Sequence, residues 1–137
     1  MIFLDTNIIL YAISGASAEQ EKRMTALRII ETQDVAVSAQ VLGEFYVNAT
    51  KRTKANLSHD DAMLWVDELL RLPCCDIDEK IVTRAIETSR RYRTSYWDGA
   101  ILAAAERMGC ETVYSEDLNP GQEYGSVTVI DPFAEAA

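Results

Sequence analysis

Histidine is almost absent from this chain of 137 residues, in which His59 is the only one. It lies at an acidic helix start, Ser58-His59-Asp60-Asp61, where a solvated side chain is expected. Ser-His-Asp and Cys-His mechanisms need a histidine base beside the nucleophile, so the chain is a poor candidate for them. If the protein is an enzyme, we expect carboxylates to carry the reaction.

Cysteine is scarce too, with Cys74, Cys75 and Cys110 and no C-x-x-C spacing, which disfavours a structural zinc site. The first residues lack a basic segment, and Asp5 interrupts their short apolar run, so no secretory signal is predicted. No apolar run reaches the roughly 20 residues that span a bilayer. These features predict a cytoplasmic protein with reduced core thiols and no membrane partner.

Positive charge is in deficit, because 13 Lys and Arg face 22 Asp and Glu for a net charge of −9. This excess of acid disfavours a protein that coats nucleic acid by charge alone. It does not disfavour an enzyme that acts on nucleic acid through bound metal ions, which bring their own positive charge. With 48% hydrophobic residues, the chain is predicted to form one packed domain over residues 1–137.

Short apolar strands alternate with helical stretches along the whole chain. This alternation predicts an α/β fold of three layers, α/β/α, with a central and mostly parallel sheet. Ser17 is expected to begin a helix, with Gln20 at the capping-box position, and Gly109 is expected to end one. Strands are predicted over residues 2–4, 35–38, 74–77, 112–115 and 127–130, and helices over about 8–13, from 17, 39–52, 58–72, 78–92 and 97–108.

Two acids follow predicted strands, one of them directly. Asp5 comes after the first strand, and Asp117 comes after the strand that ends at Ser115. The carboxyl ends of parallel strands share one edge of the sheet, where functional groups gather. Taken singly, Asp5 could instead cap the next helix, and Asp117 could be a turn residue.

Asp98 shares a helical stripe with Ile101, Leu102 and Ala105, the face expected to be buried. A charge there is costly unless it is paired or bound to metal, although a favourable interaction with the helix N-terminus is the alternative. Glu44 lies beside the apolar stripe of its own helix, where a solvated glutamate is the ordinary expectation.

The four acids together indicate more than any one of them. Carboxylates that crowd together repel, so either some are protonated or a cation lies among them. Oxygen ligands without histidine or cysteine favour Mg²⁺ or Mn²⁺, which bind phosphate oxygens and activate water. The residues alone therefore predict a Mg²⁺ or Mn²⁺ site that acts on phosphate esters.

Four segments resemble the motifs of PIN-domain ribonucleases, in matching order and spacing across essentially the whole chain. They are Asp5-Thr6-Asn7-Ile8-Ile9-Leu10, Ser38-Ala39-Gln40-Val41-Leu42-Gly43-Glu44-Phe45, Ser95-Tyr96-Trp97-Asp98-Gly99-Ala100-Ile101 and Tyr114-Ser115-Glu116-Asp117-Leu118. A lone D-T-N is a weak signal, whereas four motifs in register are a strong one. The chain is most similar to VapC-type toxins, the ribonuclease halves of bacterial toxin–antitoxin pairs.

This resemblance implies a PIN fold and a Mg²⁺- or Mn²⁺-dependent endoribonuclease. It implies that Asp5 and Asp98 bind the metal directly, while Glu44 and Asp117 complete the catalytic and metal-binding set or orient water. Thr6, Asn7 and Ser115 would support the site by hydrogen bonds and contact the substrate. The resemblance also implies RNA as substrate, a homodimer, and a cognate antitoxin that covers the acidic groove.

Some alternatives stay open at this point. Glu116 adjoins Asp117 and could supply the fourth acid, although the motif favours Asp117. A PIN-like scaffold that binds RNA or protein with little catalysis is the alternative function. A phospho-accepting receiver module lacks its late lysine here, since the last lysine is Lys80, and a phosphatase would need an acid at Asn7.

Aromatic and basic residues near the acids could contact RNA. Tyr92, Tyr96 and Trp97 are expected to pack in the core, with stacking on unpaired bases as the alternative. Six basic residues flank two of the motif acids and could bind phosphate or compensate helix termini. They are Lys51, Arg52, Lys54, Arg90, Arg91 and Arg93.

Overall fold

A six-stranded sheet forms the centre of the computed structural model, which describes residues 1–119 and 121–134. Pro120 and residues 135–137 of the predicted domain lie outside the described residues. The strands run in the order β3-β2-β1-β4-β6-β5, all parallel to their neighbours except β5. They are β1 (Ile2–Leu4), β2 (Val35–Ser38), β3 (Cys74–Cys75), β4 (Thr112–Tyr114), β5 (Glu123–Tyr124) and β6 (Val127–Ile130).

Six α-helices connect these strands within the described residues, and polar side chains define where five of them begin. The side chains of Asp5, Ser38, Ser58, Asp78 and Ser95 each accept a hydrogen bond from a backbone N–H of the first turn that follows. Such caps satisfy donors that a helix start otherwise leaves without partners. The helices are α1 (Thr6–Ala12), α2 (Gln20–Thr32), α3 (Ala39–Ala49), α4 (His59–Leu69), α5 (Glu79–Tyr92) and α6 (Tyr96–Arg107).

The sheet is covered where it meets the helices, as a mostly parallel sheet requires. All four residues of β2 are buried, so both faces of that strand are covered. Helix α6 packs on β2, β4 and β6, and α5 packs on α6. Gly99 permits this close approach, because a Cβ there would lie 2.5 Å from the Ala85 carbonyl oxygen. None of the described helices is long and apolar enough to cross a bilayer.

The predicted mixed α/β fold with a mostly parallel sheet is confirmed, and the differences concern the ends of elements. The capping box at Ser17 is wrong: Ser17–Glu19 form a short 3-10 turn, and Ala16 precedes it with no side-chain cap. Helix α3 ends at Ala49 rather than at Arg52. The chain turns back after Ala49, and Leu57 N donates to the Ala49 carbonyl oxygen. Gly109 follows α6 with φ +74°, the conformation that favours glycine after a helix.

Two further expectations are corrected by the structure. Strand β5 was not predicted, because two residues are too few to show a periodicity. Trp97 was expected in the core, yet its side chain is largely exposed, whereas Tyr92 and Tyr96 pack against the core while half-buried. The three cysteines are free thiols, with Cys75 and Cys110 buried.

Candidate functional site

Asp5 stands at the carboxyl end of β1, in the middle of the sheet. Leu4 pairs with Tyr114 of β4, and Asp5 N donates to the Tyr114 carbonyl oxygen at 3.0 Å. This register brings Ser115, the residue after β4, next to Asp5, where Ser115 Oγ donates to Asp5 Oδ2 at 2.7 Å. Asp5 Oδ1 accepts from Thr6 N at 2.7 Å, so Asp5 also caps α1. The cap and the site are therefore two roles of one buried carboxylate.

Glu44 projects from α3 and is held by two donors. Thr6 Oγ1 donates to Glu44 Oε2 at 2.8 Å, and Gln40 Nε2 donates to Oε1 at 2.9 Å. The side chain is half-buried rather than solvated. Thr6 thus links the helix that carries Glu44 to the chain segment that carries Asp5.

Asp117 is linked to the end of β1 by Asn7. Asn7 Nδ2 donates to Asp117 Oδ2 at 3.0 Å and lies 3.4 Å from both Asp5 Oδ2 and Ser115 Oγ. The backbone N–H groups of Asp117 and Leu118 donate to Ser115 Oγ, which fixes the turn after β4. Asn7 and Ser115 therefore order the acids at the ends of β1 and β4 relative to each other.

Glu116 lies apart from these acids. Its Oε2 accepts from Lys22 Nζ and its Oε1 accepts from the Tyr11 hydroxyl, both at 2.5 Å. The lysine holds the pKa of Glu116 below its ordinary value despite partial burial. An ion-paired glutamate is already neutralised, so Asp117 is the candidate for the fourth acid.

Asp98 lies in the first turn of α6, where its backbone N–H donates to Ser95 Oγ at 3.0 Å. Its side chain is half-buried, while Ile101, Leu102 and Ala105 of the same stripe are buried. Asp98 therefore lies both on the predicted core-facing stripe and in the first turn of the helix, the position that the alternative interpretation gave it. Asp98 thus lies at the open end of an otherwise apolar stripe.

The four acids line one cavity of about 250 Å³. Its other walls are polar and apolar side chains, and no lysine or arginine of the described residues lines it. The complete lining is Asp5, Thr6, Asn7, Leu10, Gln40, Glu44, Asn48, Trp97, Asp98, Ile101 and Asp117. A larger cavity of about 550 Å³ adjoins it and shares Asn7, Leu10, Asn48 and Asp117.

The charges in the small cavity act on one another. Burial raises the pKa of Asp5 to about 6, and the carboxylates of Asp117 and Glu44 add to this against the hydrogen bonds from Ser115 and Thr6. The pKa of Asp98 is raised mainly by burial and further by Asp117 and Glu44. A cation in the cavity would stabilise the charged forms of both acids and lower their pKa values.

The donor set fits a hard divalent cation that keeps part of its hydration shell. No group of three or more acid, histidine or cysteine side chains in the described part of the chain lies close enough to hold one ion together. Mg²⁺ is commonly bound through one or two carboxylates plus water molecules, which needs no such group. The arrangement therefore suits an ion held directly by one or two acids, with the others reached through water.

In protein without metal, we expect the raised pKa of Asp5 to make the folded state less stable as the pH rises. The stabilisation from protonation is fully present below the ordinary pKa of 3.8 and is lost as the pH passes through about 6. The difference between the ordinary pKa of 3.8 and the folded-state pKa of about 6 corresponds to about 3 kcal/mol in the free energy of unfolding. Urea unfolding of wild type and Asp5→Asn in EDTA, from pH 4 to pH 7, measures it. The wild-type free energy of unfolding should fall relative to the variant by about 2–3 kcal/mol, and parallel profiles would contradict the assignment.

No role in the site is predicted for Gln40, and Trp97 is expected in the core, with stacking on an unpaired base as the alternative. Gln40 holds Glu44 from one helical turn earlier, and its Nε2 also lies 3.3 Å from the Trp97 carbonyl oxygen. The i, i+4 spacing of Gln40 and Glu44 is the signal that could have identified it. Trp97 lines the cavity because its position at the start of α6 faces the end of the sheet, which the sequence does not reveal.

The sequence matches the family model described as PIN domain over residues 2–121. No curated protein matches it. The match includes all four acids and the hydrogen-bonding residues around them.

Solved structures with similar folds include several from toxin–antitoxin systems. VapC20 of Mycobacterium tuberculosis, described as a sarcin-ricin loop cleaving toxin, has a TM-score of 0.68 at 22% identity, covering 85% of this chain and 90% of that one. A toxin–antitoxin complex from Klebsiella pneumoniae has a TM-score of 0.73 at 20% identity, with 97% and 98% covered. The DNA-bound VapBC of Salmonella typhimurium has a TM-score of 0.63 at 20% identity, with 96% and 97% covered. The TM-scores establish a shared fold, and at identities this low they establish the fold alone.

Proposed function

The chain belongs to the PIN domain family, and on this premise we propose that it is an endoribonuclease that depends on Mg²⁺ or Mn²⁺. We further propose that it is the toxin of a toxin–antitoxin pair. The observation that carries the proposal is the cavity at the carboxyl ends of β1 and β4, where four acids meet without a basic residue among the described lining. Repulsion among the four acids destabilises the protein when no metal ion is bound. A bound metal ion would offset this repulsion and could assist a reaction on a phosphate ester.

The residues of the cavity have separate parts in this proposal. Asp5 and Asp98 would hold the ion, because their pKa values are raised by burial and by the neighbouring acids. When bound, the ion would supply positive charge for the phosphate oxygens and lower the pKa of a water molecule. Cleavage adds the water oxygen to phosphorus and breaks the bond to the ribose oxygen of the leaving strand.

Glu44 and Asp117 would orient water in this proposal. Each is held by neutral donors, Glu44 by Thr6 and Gln40 and Asp117 by Asn7. Neutral donors fix the direction of a carboxylate without cancelling its charge, so it can still accept a proton from water. Thr6, Asn7 and Ser115 would therefore act mainly as positioning residues.

The proposed partners follow from the same site. VapC20 is described as an RNA-loop-cleaving toxin, and other structures of this fold are toxin–antitoxin complexes, which supports RNA and an antitoxin as partners here. The cavity of about 550 Å³ beside the acids is lined by Leu10, Tyr11, Glu19, Lys54 and Asp117 among others. The acids of its described lining outnumber the lysine, so it suits a segment with apolar and basic side chains. A homodimer acting in the cytoplasm completes the proposal.

Induction of the protein in cells, followed by mapping of new RNA ends, tests the function. We expect new ends at a small number of positions and growth arrest, both suppressed by co-expression of the cognate antitoxin. Asp98→Asn should give neither effect at the same protein level. Binding of RNA without new ends, from the wild-type chain, would favour the non-cleaving scaffold instead.

A further inference from the structure

An exposed tryptophan stands at the mouth of the acid cavity. The Trp97 side chain is 62% exposed, yet it lines the same cavity as Asp5, Glu44, Asp98 and Asp117. The other tryptophan, Trp65, is half-buried against Phe45, with 6.4 Å between the ring centroids. Exposed apolar side chains are common, and Leu64 is 64% exposed, but Trp97 is the tryptophan that is both exposed and part of the lining of the acid cavity.

The ring is held in place although it is not covered. Trp97 contacts the Tyr96 ring edge to face, with 5.0 Å between centroids and 84° between planes. Its carbonyl oxygen accepts from Gln40 Nε2, the side chain that also holds Glu44. Trp97 is also in the first turn of α6, directly before Asp98. The backbone of Trp97 is therefore held by the side chain that also holds Glu44, while the indole itself contacts the Tyr96 ring.

The surroundings of the ring suit a nucleotide. A phosphodiester held at the carboxylates by a metal ion would bring its adjoining bases close to the indole of Trp97. An exposed aromatic face of this kind stacks on an unpaired base. Arg90 and Arg91 lie in the last turn of α5, and Arg93 directly follows that helix, with two residues between Arg93 and the start of α6. All three are exposed, and none forms an ion pair with another described residue. None of these arginines is among the described residues that line the acid cavity, and Arg91 lies over the Tyr92 ring at 5.2 Å from its centroid. The exposed indole beside the acids is therefore the feature that suits an unpaired base, and the arginines add positive charge a few residues earlier in the chain.

We propose that Trp97 stacks on the base next to the cleaved phosphodiester and is thereby a specificity-determining residue. This inference rests on the proposed RNA cleavage, which it deepens. Stacking needs a base that is free of its complementary strand, so Trp97 would favour unpaired positions near the scissile bond. The acids would supply the chemistry and the indole would select where along the strand it occurs.

Binding can be measured ahead of cleavage by stopped-flow tryptophan fluorescence in Mg²⁺, because the acid cavity would need the ion to accept a phosphate group. In Trp65→Phe, Trp97 is the only tryptophan, and a single-stranded RNA oligonucleotide of mixed sequence should quench its emission in a saturable way. The same oligonucleotide annealed to its complement should quench little, because its bases are stacked already. Wild type compared with Trp97→Phe gives the same information if Trp65→Phe does not fold.

Kinetics with a fluorogenic single-stranded RNA give the second measurement. We expect Trp97→Leu to raise KM about tenfold with kcat changed less than about twofold, since stacking is lost and the acids remain. Trp97→Phe retains an aromatic face and should stay within about threefold of wild type in KM. Leu64→Ala is the matched control, because Leu64 is 64% exposed on α4 and outside the cavity.

The outcomes separate this inference from the proposed function. Wild-type cleavage with an unchanged KM in Trp97→Leu and no quenching overturns the stacking role and leaves the ribonuclease intact. A wild-type chain that does not cleave overturns the ribonuclease, while quenching by single-stranded RNA would still support the stacking role. If Trp97→Leu changes the oligomeric state in sedimentation velocity and leaves KM alone, Trp97 belongs to a protein interface and the inference is wrong.

Discussion

Asp98→Asn should abolish RNA cleavage, lowering kcat/KM by at least about a thousandfold while the protein stays folded. The substitution keeps the shape of the side chain and removes the charge that would hold the metal ion. Charge stabilisation by a metal ion contributes several kcal/mol to a transition state, which accounts for the size of the loss. Single-turnover cleavage of a labelled RNA measures the change, and circular dichroism checks the fold.

The chain contains a closely matched control in Asp61. Ser58 caps α4 and accepts from Asp61 N at 3.1 Å, as Ser95 caps α6 and accepts from Asp98 N at 3.0 Å. Asp61 is exposed and is not among the residues that line the cavity. Asp61→Asn therefore removes the same charge from the same helical position outside the site, and its activity should equal that of wild type.

The two variants should also differ in thermal stability without metal. Removing the Asp98 charge removes the cost of burying it and its repulsion from Asp117 and Glu44, which are the causes of its raised pKa. The melting temperature should therefore rise. Removing the Asp61 charge loses a favourable interaction with the helix N-terminus and should lower it slightly. Calorimetry in EDTA measures both. A lower melting temperature for Asp98→Asn, or full activity of that variant, would contradict the shared site.

Removal of divalent metal should abolish cleavage as completely as the Asp98 substitution does. EDTA is expected to reduce the rate to the background of the assay, and excess Mg²⁺ or Mn²⁺ should restore it. The reason is that the described lining of the cavity contains four acids and no basic side chain to hold a phosphate group. Persistence of wild-type cleavage rates in EDTA would refute the metal requirement.

Metal binding can be detected apart from activity. A ligand that binds only the folded state at 100 times its dissociation constant adds about 2.7 kcal/mol to stability. Mg²⁺ should therefore raise the melting temperature of wild type and of Asp61→Asn, and leave Asp98→Asn nearly unchanged. An equal rise in all three proteins would show binding elsewhere on the surface.

Much of the fold could be predicted from the sequence, because its signals are local. Five N-cap side chains and the short apolar strands define where elements begin, and the predicted helices over 58–72 and 78–92 start at two of these caps, Ser58 and Asp78. The exceptions also have local causes. Ser17 was assigned a cap that the 3-10 turn does not use, and β5 is too short for a periodicity.

The sequence alone predicts that Asp5 and an acid after the strand that ends at Ser115 lie at one edge of the sheet. Each follows a strand, and parallel strands place their carboxyl ends at one edge of the sheet whatever the details of packing. The motif order then identified Glu44 and Asp98 as the further members. The chemical nature of the site, acidic and without histidine, likewise follows from composition.

Only the tertiary structure decided how individual side chains are used. Glu116 and Asp117 are adjacent in the chain, and Lys22, 94 residues away from Glu116, holds one and leaves the other for the cavity. Trp97 resembles a core residue in the sequence but faces solvent at the cavity mouth. Such choices depend on contacts between distant segments, which a pattern of neighbouring residues does not encode.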